Sequence, residues 1–218
     1  RTVTYTYNTS SGAAQHALTT IVEPDGVARA FTYDELGRLA STYRNDDQET
    51  FTFAYADGRV SLTNALSDTS RFFFDSWGRV VKTENALGEA VQVNFDDLGN
   101  LVAVTDADGF AASFDYDRRG NVIQVTDAMR KTTQYTYHRA HNRLRSVTDA
   151  AGNRTDYAYD DRGNMTAINY PDGSAEGWAY DIDGNTTAWT NRRGTPISYS
   201  YNASGRLTGK IYTDTSTV

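Results

Sequence analysis

The stretch FDYDRRGNVIQVTDAMRKTTQYTYHRAHNRL, residues 114–144, contains one pattern twice. Phe114 and Tyr116 lead into a polar turn with a glycine and then into an apolar run, and Tyr135 and Tyr137 begin the same sequence again. Residues two apart in a β-strand point to the same face of the sheet. The repeated unit is therefore predicted to be a β-hairpin with one aromatic face.

The turn glycines show that the pattern runs through most of the chain. They recur at steps of 20 to 22 residues, at Gly37, Gly58, Gly78, Gly99, Gly120, Gly163, Gly184 and Gly205. Asn142 occupies the one position in this series that has no glycine. Asn is the non-glycine residue best able to adopt positive φ, so the series indicates a shared left-handed backbone position.

A second and weaker set of turns lies midway between the first. These segments are rich in Asn, Asp, Pro and Gly: Pro24–Gly26, Asn45–Asp47, Asn64–Ser67, Asn85–Gly88, Asp106–Gly109, Asp127–Arg130, Asp149–Gly152, Pro171–Gly173 and Asn191–Gly194. Two turns in each period leave room for two strands, and the segments between them are rich in Thr, Val, Tyr and Phe. The position two after each first-set glycine is apolar in every repeat except that of Thr186, so we expect this face to be buried.

The geometry of the first-set turn follows from its residues. If Asp117 opens a type I turn and Gly120 takes the left-handed bulge position, then Tyr116 lies opposite Val122. The carboxylate of Asp117 is expected to accept the backbone N–H two residues later. The shorter loop at Asp57–Gly58 predicts a type I′ hairpin turn.

All these features predict an all-β fold. Tandem hairpins of about 21 residues would pair edge to edge into a spiralling antiparallel ribbon or part of a hollow shell. We expect residues 1–30 to form an irregular first repeat or edge segment, because the interval from Gly12 to Gly26 is four residues longer than its counterpart from Gly99 to Gly109. Residues 31–218 would hold about nine hairpins.

Composition excludes several classes of protein. The net charge of -7 and the pI near 4.9 oppose binding to nucleic acid, which depends on Lys and Arg neutralising phosphates. The absence of cysteine excludes disulfides and thiolate metal sites. No run approaches the roughly 18 apolar residues of a membrane span, so none is expected. Because the chain starts at Arg1 without Met or a targeting segment, we expect it to be a piece of a longer protein.

The pattern Tyr/Phe-Asp-x-x-Gly-Arg/Asn-Leu/Val resembles the YD repeat of Rhs proteins, which also occurs in the C component of ABC toxin complexes and in teneurins. The resemblance covers residues 31–218 well and residues 1–30 loosely. The Asp positions that match are Asp34, Asp75, Asp96, Asp117, Asp160 and Asp181, whereas Asn8, Ala56, His138 and Asn202 depart from the pattern. The resemblance to the YD repeat implies a hollow shell that, in bacterial toxins, encloses a C-terminal toxic domain. The family's C-terminal cleavage region is not visible here.

Two functions fit this reading. The resemblance implies a non-catalytic shell segment of a secreted bacterial Rhs-type toxin, with the enclosed toxin domain of the same parent chain, the secretion machinery or other shell segments as partners. The alternative is a cell-surface adhesion or carbohydrate- or protein-binding repeat module. In either case we expect a secreted or cell-surface location, by resemblance alone.

No catalytic, cofactor-binding or metal-binding residue is predicted, and no cofactor is expected. The segments Asp106–Gly109 and Asp181–Gly184 resemble calcium loops, but their glycine falls at the fourth position. His138 and His141 have no third ligand close in sequence. We expect all of these to be ordinary turns.

Overall fold

The computed structural model describes residues 1–45 and 48–213, which hold twenty β-strands and no helix. No helix that is long and apolar enough to cross a membrane occurs in these residues. The strands are β1 (Thr4–Tyr7), β2 (Leu18–Val22), β3 (Ala28–Tyr33), β4 (Leu39–Arg44), β5 (Gln48–Ala56), β6 (Arg59–Asn64), β7 (Thr69–Phe74), β8 (Val80–Glu84), β9 (Ala90–Phe95), β10 (Leu101–Thr105), β11 (Ala111–Tyr116), β12 (Val122–Thr126), β13 (Thr132–Tyr137), β14 (Leu144–Thr148), β15 (Arg154–Tyr159), β16 (Met165–Asn169), β17 (Ala175–Tyr180), β18 (Thr186–Thr190), β19 (Pro196–Tyr201) and β20 (Leu207–Tyr212).

The chain divides into two compact units, residues 1–111 and 112–218. In the first unit each strand from β1 to β10 pairs antiparallel with the next one along the chain. Strands β11 to β20 of the second unit pair in the same way. The prediction of an all-β ribbon of tandem hairpins is confirmed, and strands β3 to β20 make up nine hairpins.

Residues 1–30 contain an additional hairpin, β1–β2. Tyr7 pairs with Leu18, as Tyr33 pairs with Leu39 in the next hairpin, but the connection is longer. It folds on itself, because the amide of His16 donates to the carbonyl of Asn8 at 2.9 Å. The predicted boundary at residue 30 separates an irregular repeat from regular ones, whereas the two compact units are separated by their contacts. The predicted boundary therefore remains a prediction.

The two faces of the strands differ in chemistry. One face carries the aromatic and aliphatic positions, and the other carries Thr, Ser, Gln and Asp, as where Thr136 and Ser146 share a 2.6 Å hydrogen bond. Ile197 is the one buried hydrophobic side chain among the described residues, at 6% exposure. The apolar face was expected to be buried, and most of its positions are half-buried instead. Among the apolar residues two positions after the first-set glycines, two, Val80 and Leu207, are exposed.

Candidate functional site

The first-set turns have the geometry that the sequence predicts. The amide of Gly120 donates to the carbonyl of Asp117 at 3.1 Å, and the amide of Asp117 donates to the carbonyl of Asn121 at 2.9 Å. Gly120 has a φ of 81°, which is the left-handed bulge position. Tyr116 pairs with Val122, which confirms the predicted register.

The turn carboxylate is saturated by hydrogen bonds from its own turn. Oδ1 of Asp117 accepts the amide of Arg119 at 2.8 Å, as predicted, and also that of Asn121 at 3.0 Å. Oδ2 accepts Nδ2 of Asn121 at 2.9 Å, and this bond is the main cause that lowers the pKa of Asp117. In another turn, Nε of Arg79 donates to Oδ2 of Asp75 at 2.8 Å instead. These carboxylates stabilise the turns, so they are poorly placed to act as an acid–base pair.

Two irregular turns keep the same strand register. Tyr55 still pairs with Val60 across the shorter loop, although the type I′ assignment was wrong: Gly58 has a φ of 64°, but Asp57 is not among the described residues with positive φ. In the longer loop, Asn142 has a φ of 50°, which confirms its predicted left-handed position.

The described second-set turns, at the opposite ends of the strands, share this geometry more closely than the sequence indicates. Residues 46 and 47 of the predicted turn Asn45–Asp47 lie outside the described residues. The amide of Arg130 donates to the carbonyl of Asp127 at 2.9 Å, and Oδ1 of Asp127 accepts two further amides. Arg130 and Ser67 occupy the left-handed position without being glycine, with φ of 62° and 69°. The sequence signal was weak because these residues rarely adopt positive φ.

A ladder of tyrosine hydrogen bonds, which sequence reasoning missed, links successive hairpins. The hydroxyl of the tyrosine before the turn donates to the carbonyl of the first residue in the second strand of the preceding hairpin. This bond joins Tyr33 to Leu18, Tyr55 to Leu39, Tyr137 to Val122, Tyr180 to Met165 and Tyr201 to Thr186, at 2.7–3.0 Å. Partial burial raises the pKa of Tyr137 and Tyr180 above the usual value. The recurring tyrosine was the sequence signal for the ladder.

Arginine side chains make a second contact between hairpins. The guanidinium of Arg38 lies 4.2 Å from the ring centroid of Tyr55, and that of Arg79 lies 4.2 Å from the centroid of Phe95. Each arginine follows a turn glycine, and each ring belongs to the next hairpin. Tyr55 makes both this contact and the ladder hydrogen bond, whereas Phe95 has no hydroxyl and makes the cation–π contact alone of the two.

Exposed apolar side chains stand at the tips of several turns. Trp77 is 81% exposed and lines a groove of about 420 Å³ together with Arg79, Phe95 and Leu98. Other apolar tip residues that are 70–83% exposed are Leu36, Leu66, Leu87, Leu98, Met129 and Ile182. A large indole that is exposed at a groove is a candidate contact point for a ligand or another protein.

The residues that resemble metal ligands lie in ordinary turns. Oδ1 of Asp106 accepts the amide of Asp108 at 3.0 Å, and Oδ1 of Asp181 accepts that of Asp183 at 3.0 Å. His138 packs edge-on against the ring of Tyr159, with the centroids 5.4 Å apart. Residues 1–45 and 48–213 bring together no three His, Asp or Glu side chains suited to a metal ion. The expectation that the chain has no metal or catalytic site remains a prediction.

The chain matches the model of a known protein family. The family model described as RHS Repeat matches residues 14–50, 95–128, 116–143, 140–175 and 180–217, which together make up more than half of the chain. No curated protein matches the chain in sequence.

Solved structures resemble the chain in fold. The crystal structure of TcdB2–TccC3 has a TM-score of 0.52 and 14% identity, over 96% of this chain and 16% of that chain. The same complex without the hypervariable C-terminal region has a TM-score of 0.51 and 14% identity, over 97% and 15%. The Tc holotoxin pore of Photorhabdus luminescens, with a substituted TccC3, has a TM-score of 0.51 and 14% identity, over 91% and 14%. The chain therefore spans between a seventh and a sixth of the length of the chains that it matches in these structures.

Proposed function

Because the chain belongs to the RHS repeat family, we propose that it is a non-catalytic segment of a shell wall that encloses a C-terminal toxic region of its own parent chain. The observation that carries the proposal is the antiparallel hairpin ribbon in each unit. Its fold is that of the TcdB2–TccC3 structures, in which it corresponds to a small part of a much longer chain.

The contacts between hairpins suit a wall. Within each unit, backbone pairing joins every hairpin to its neighbours, and the tyrosine ladder adds a side-chain bond between hairpins, as where Tyr180 reaches the carbonyl of Met165. The turn polar groups are satisfied within the turn, as at Asp117. Such a ribbon presents one aromatic face and one polar face, which would serve as lining and exterior of the wall.

The proposed partners follow from enclosure. The first is the toxic region of the same parent chain, and the others are further shell segments and the machinery that secretes the protein. A secreted or cell-surface location in a bacterium is part of the same proposal.

Limited proteolysis of the intact parent protein, with mass spectrometry, tests enclosure. The region after the repeats should resist the protease while the repeats are folded and should be cut once they are denatured. A variant makes the test sharper: Gly120→Val forces a β-branched residue into a φ of 81° and should open the wall locally. Gly120→Asn is the matched control, since Asn142 already occupies this turn position with a φ of 50°.

Two results would contradict enclosure. One is a downstream region that is cut equally fast in the folded and denatured protein. The other is equal protection in the Gly120→Val and Gly120→Asn proteins, provided that circular dichroism shows the valine variant to have lost strand content.

Recognition of a carbohydrate or protein at the surface is the second candidate, and the exposure of Trp77 favours it. An indole ring that stands 81% exposed beside Leu98 could stack on a sugar ring or an apolar side chain. Binding of the wild-type chain to a glycan array, lost in Trp77→Ala and kept in Leu36→Ala, would support recognition. Failure of the wild-type chain to bind any glycan or cell-surface protein would count against it.

A further inference from the structure

Asp–Gly dipeptides recur in the turns of the chain, and their peptide bonds are chemically reactive. Glycine has no side chain to shield its backbone nitrogen, so the nitrogen can approach the carboxyl group of the preceding aspartate. The dipeptides are Asp25–Gly26, Asp57–Gly58, Asp108–Gly109, Asp172–Gly173 and Asp183–Gly184. Whether each one reacts depends on how firmly its turn holds the glycine nitrogen.

Four of these glycine nitrogens are held by a hydrogen bond. Gly26, Gly109, Gly173 and Gly184 each donate the backbone N–H to the carbonyl three residues earlier, at 2.9–3.2 Å. The peptide plane between aspartate and glycine is therefore fixed. Its nitrogen cannot turn toward the aspartate side chain until the hydrogen bond of the turn breaks.

Asp57–Gly58 differs because its loop is shorter. Ala56 pairs with Arg59, so only these two residues connect β5 to β6. In the part of the chain that the structure describes, neither the amide of Gly58 nor the carboxylate of Asp57 makes a hydrogen bond or an ion pair. Both residues are exposed, and a Cβ at Gly58 would meet one atom within 4 Å, the carbonyl oxygen of Phe74 at 3.5 Å.

We propose that Asp57–Gly58 is a site of spontaneous modification, at which the aspartate rearranges to isoaspartate. The nitrogen of Gly58 attacks Cγ of the protonated carboxyl group of Asp57. A new C–N bond closes a succinimide ring, and the carboxyl OH leaves as water with the amide proton. Water then opens the ring. Cleavage at Cγ restores aspartate, whereas cleavage at the main-chain carbonyl leaves the chain running through Cγ and frees an α-carboxylate. One water is lost and one is taken up, so no other reactant is required.

The rearrangement would affect the neighbouring hairpin as well as its own turn. The carbonyl of Gly58 accepts the amide of Phe74, in β7, at 2.8 Å. Isoaspartate adds one carbon to the main chain just before Gly58, which displaces this carbonyl. The modification should therefore weaken a bond between the β5–β6 and β7–β8 hairpins.

Isotope labelling tests the chemistry, because each ring opening takes one oxygen atom from the solvent. The folded chain is aged in water enriched in the heavy oxygen isotope, digested with trypsin in ordinary water, and analysed by mass spectrometry with fragmentation. Asp57 should gain label roughly fivefold faster than Asp108 and Asp183, since each of those must first break one hydrogen bond. In urea, where the turns are lost, the three positions should gain label at similar rates.

A loop exchange separates the effect of the hydrogen bond from that of the dipeptide. Replacing residues 56–58 with residues 181–184 keeps an Asp–Gly peptide in the loop after Tyr55, but in a turn whose glycine amide is bound. Labelling of this loop should fall to the rate of Asp183. Asp57→Glu keeps the charge and cannot form the succinimide, so it should gain no label at this position. After ageing, the amide of Phe74 should lose protection from hydrogen exchange in the wild-type chain and keep it in Asp57→Glu.

The proposal is overturned if Asp57 in the folded chain gains label no faster than Asp108 and Asp183. It is also overturned if the exchanged loop, in a chain whose circular dichroism matches that of the wild type, gains label as fast as the original loop. The comparison among the three positions needs no variant, so it decides the question even if the exchanged chain does not fold.

Discussion

Gly37 and Gly78 form a matched pair for testing how the irregular first hairpin is held. Both take a φ of 77° at the same turn position. A Cβ at Gly78 would meet nothing within 4 Å, whereas a Cβ at Gly37 would lie 2.6 Å from the carbonyl oxygen of Ala13, in the β1–β2 connection. A substitution would therefore introduce the same backbone strain at both sites, and only at Gly37 would it also meet the carbonyl oxygen of Ala13.

The expected magnitudes follow from this difference. Alanine in the left-handed region costs roughly 1–2 kcal/mol at either site. Overpacking against backbone at Gly37 adds about 1–3 kcal/mol, because Ala13 must move. We therefore expect Gly37→Ala to lower the free energy of unfolding in urea more than Gly78→Ala, by this second amount.

Hydrogen exchange identifies where the damage lies. In Gly37→Ala, the amide of His16, which donates to the carbonyl of Asn8, should lose protection because the connection is displaced. In Gly78→Ala it should keep its protection. Equal losses of stability in the two variants, or unchanged exchange at His16, would refute the packing of the connection on this turn.

Three more predictions concern other repeats. Arg130→Gly should raise the free energy of unfolding by roughly 1 kcal/mol, because glycine adopts a φ of 62° without strain. The urea midpoint should rise with it, and an unchanged or lower midpoint would contradict this. Tyr180→Phe should cost about 1 kcal/mol through the lost bond to Met165, and a melt identical to wild type would show that the ladder is not stabilising. Hydrogen bonds from Ser174, and then Arg192, lower the pKa of Asp172 to about 2. This carboxylate should therefore contribute stability above its unfolded pKa near 3.8 and lose it as the pH falls through about 2, and NMR titration of Asp172 should show a midpoint near 2 rather than near 4.

The turns and the register were predictable because their causes are local. The Asp that opens the turn and the Gly that ends it are three residues apart, and together they determine which residue faces Tyr116 across the hairpin. Asn142 could be assigned for the same reason, since few residues other than glycine tolerate positive φ. These features depend on short segments and not on what packs around them.

Features that depend on neighbouring hairpins were not predictable in the same way. The recurrence of tyrosine marks the ladder positions, but the residues around Tyr180 do not identify the partner of its hydroxyl, the carbonyl of Met165, which lies 15 positions earlier. The contact of Gly37 with Ala13 likewise depends on how a long connection folds back. The degree of burial was overestimated, since alternation shows which residues share a face but not whether anything covers that face.

The pairing of every strand with its successor within each unit has a consequence for how the chain folds. Each strand finds its partner among residues already close in sequence, so no long loop must close before pairing begins, and contacts of this kind favour fast folding. A hairpin leaving the ribosome can join the ribbon as soon as its second turn is complete, without waiting for distant parts of the protein. Synthesis itself can then proceed as stepwise growth of the ribbon, one hairpin at a time.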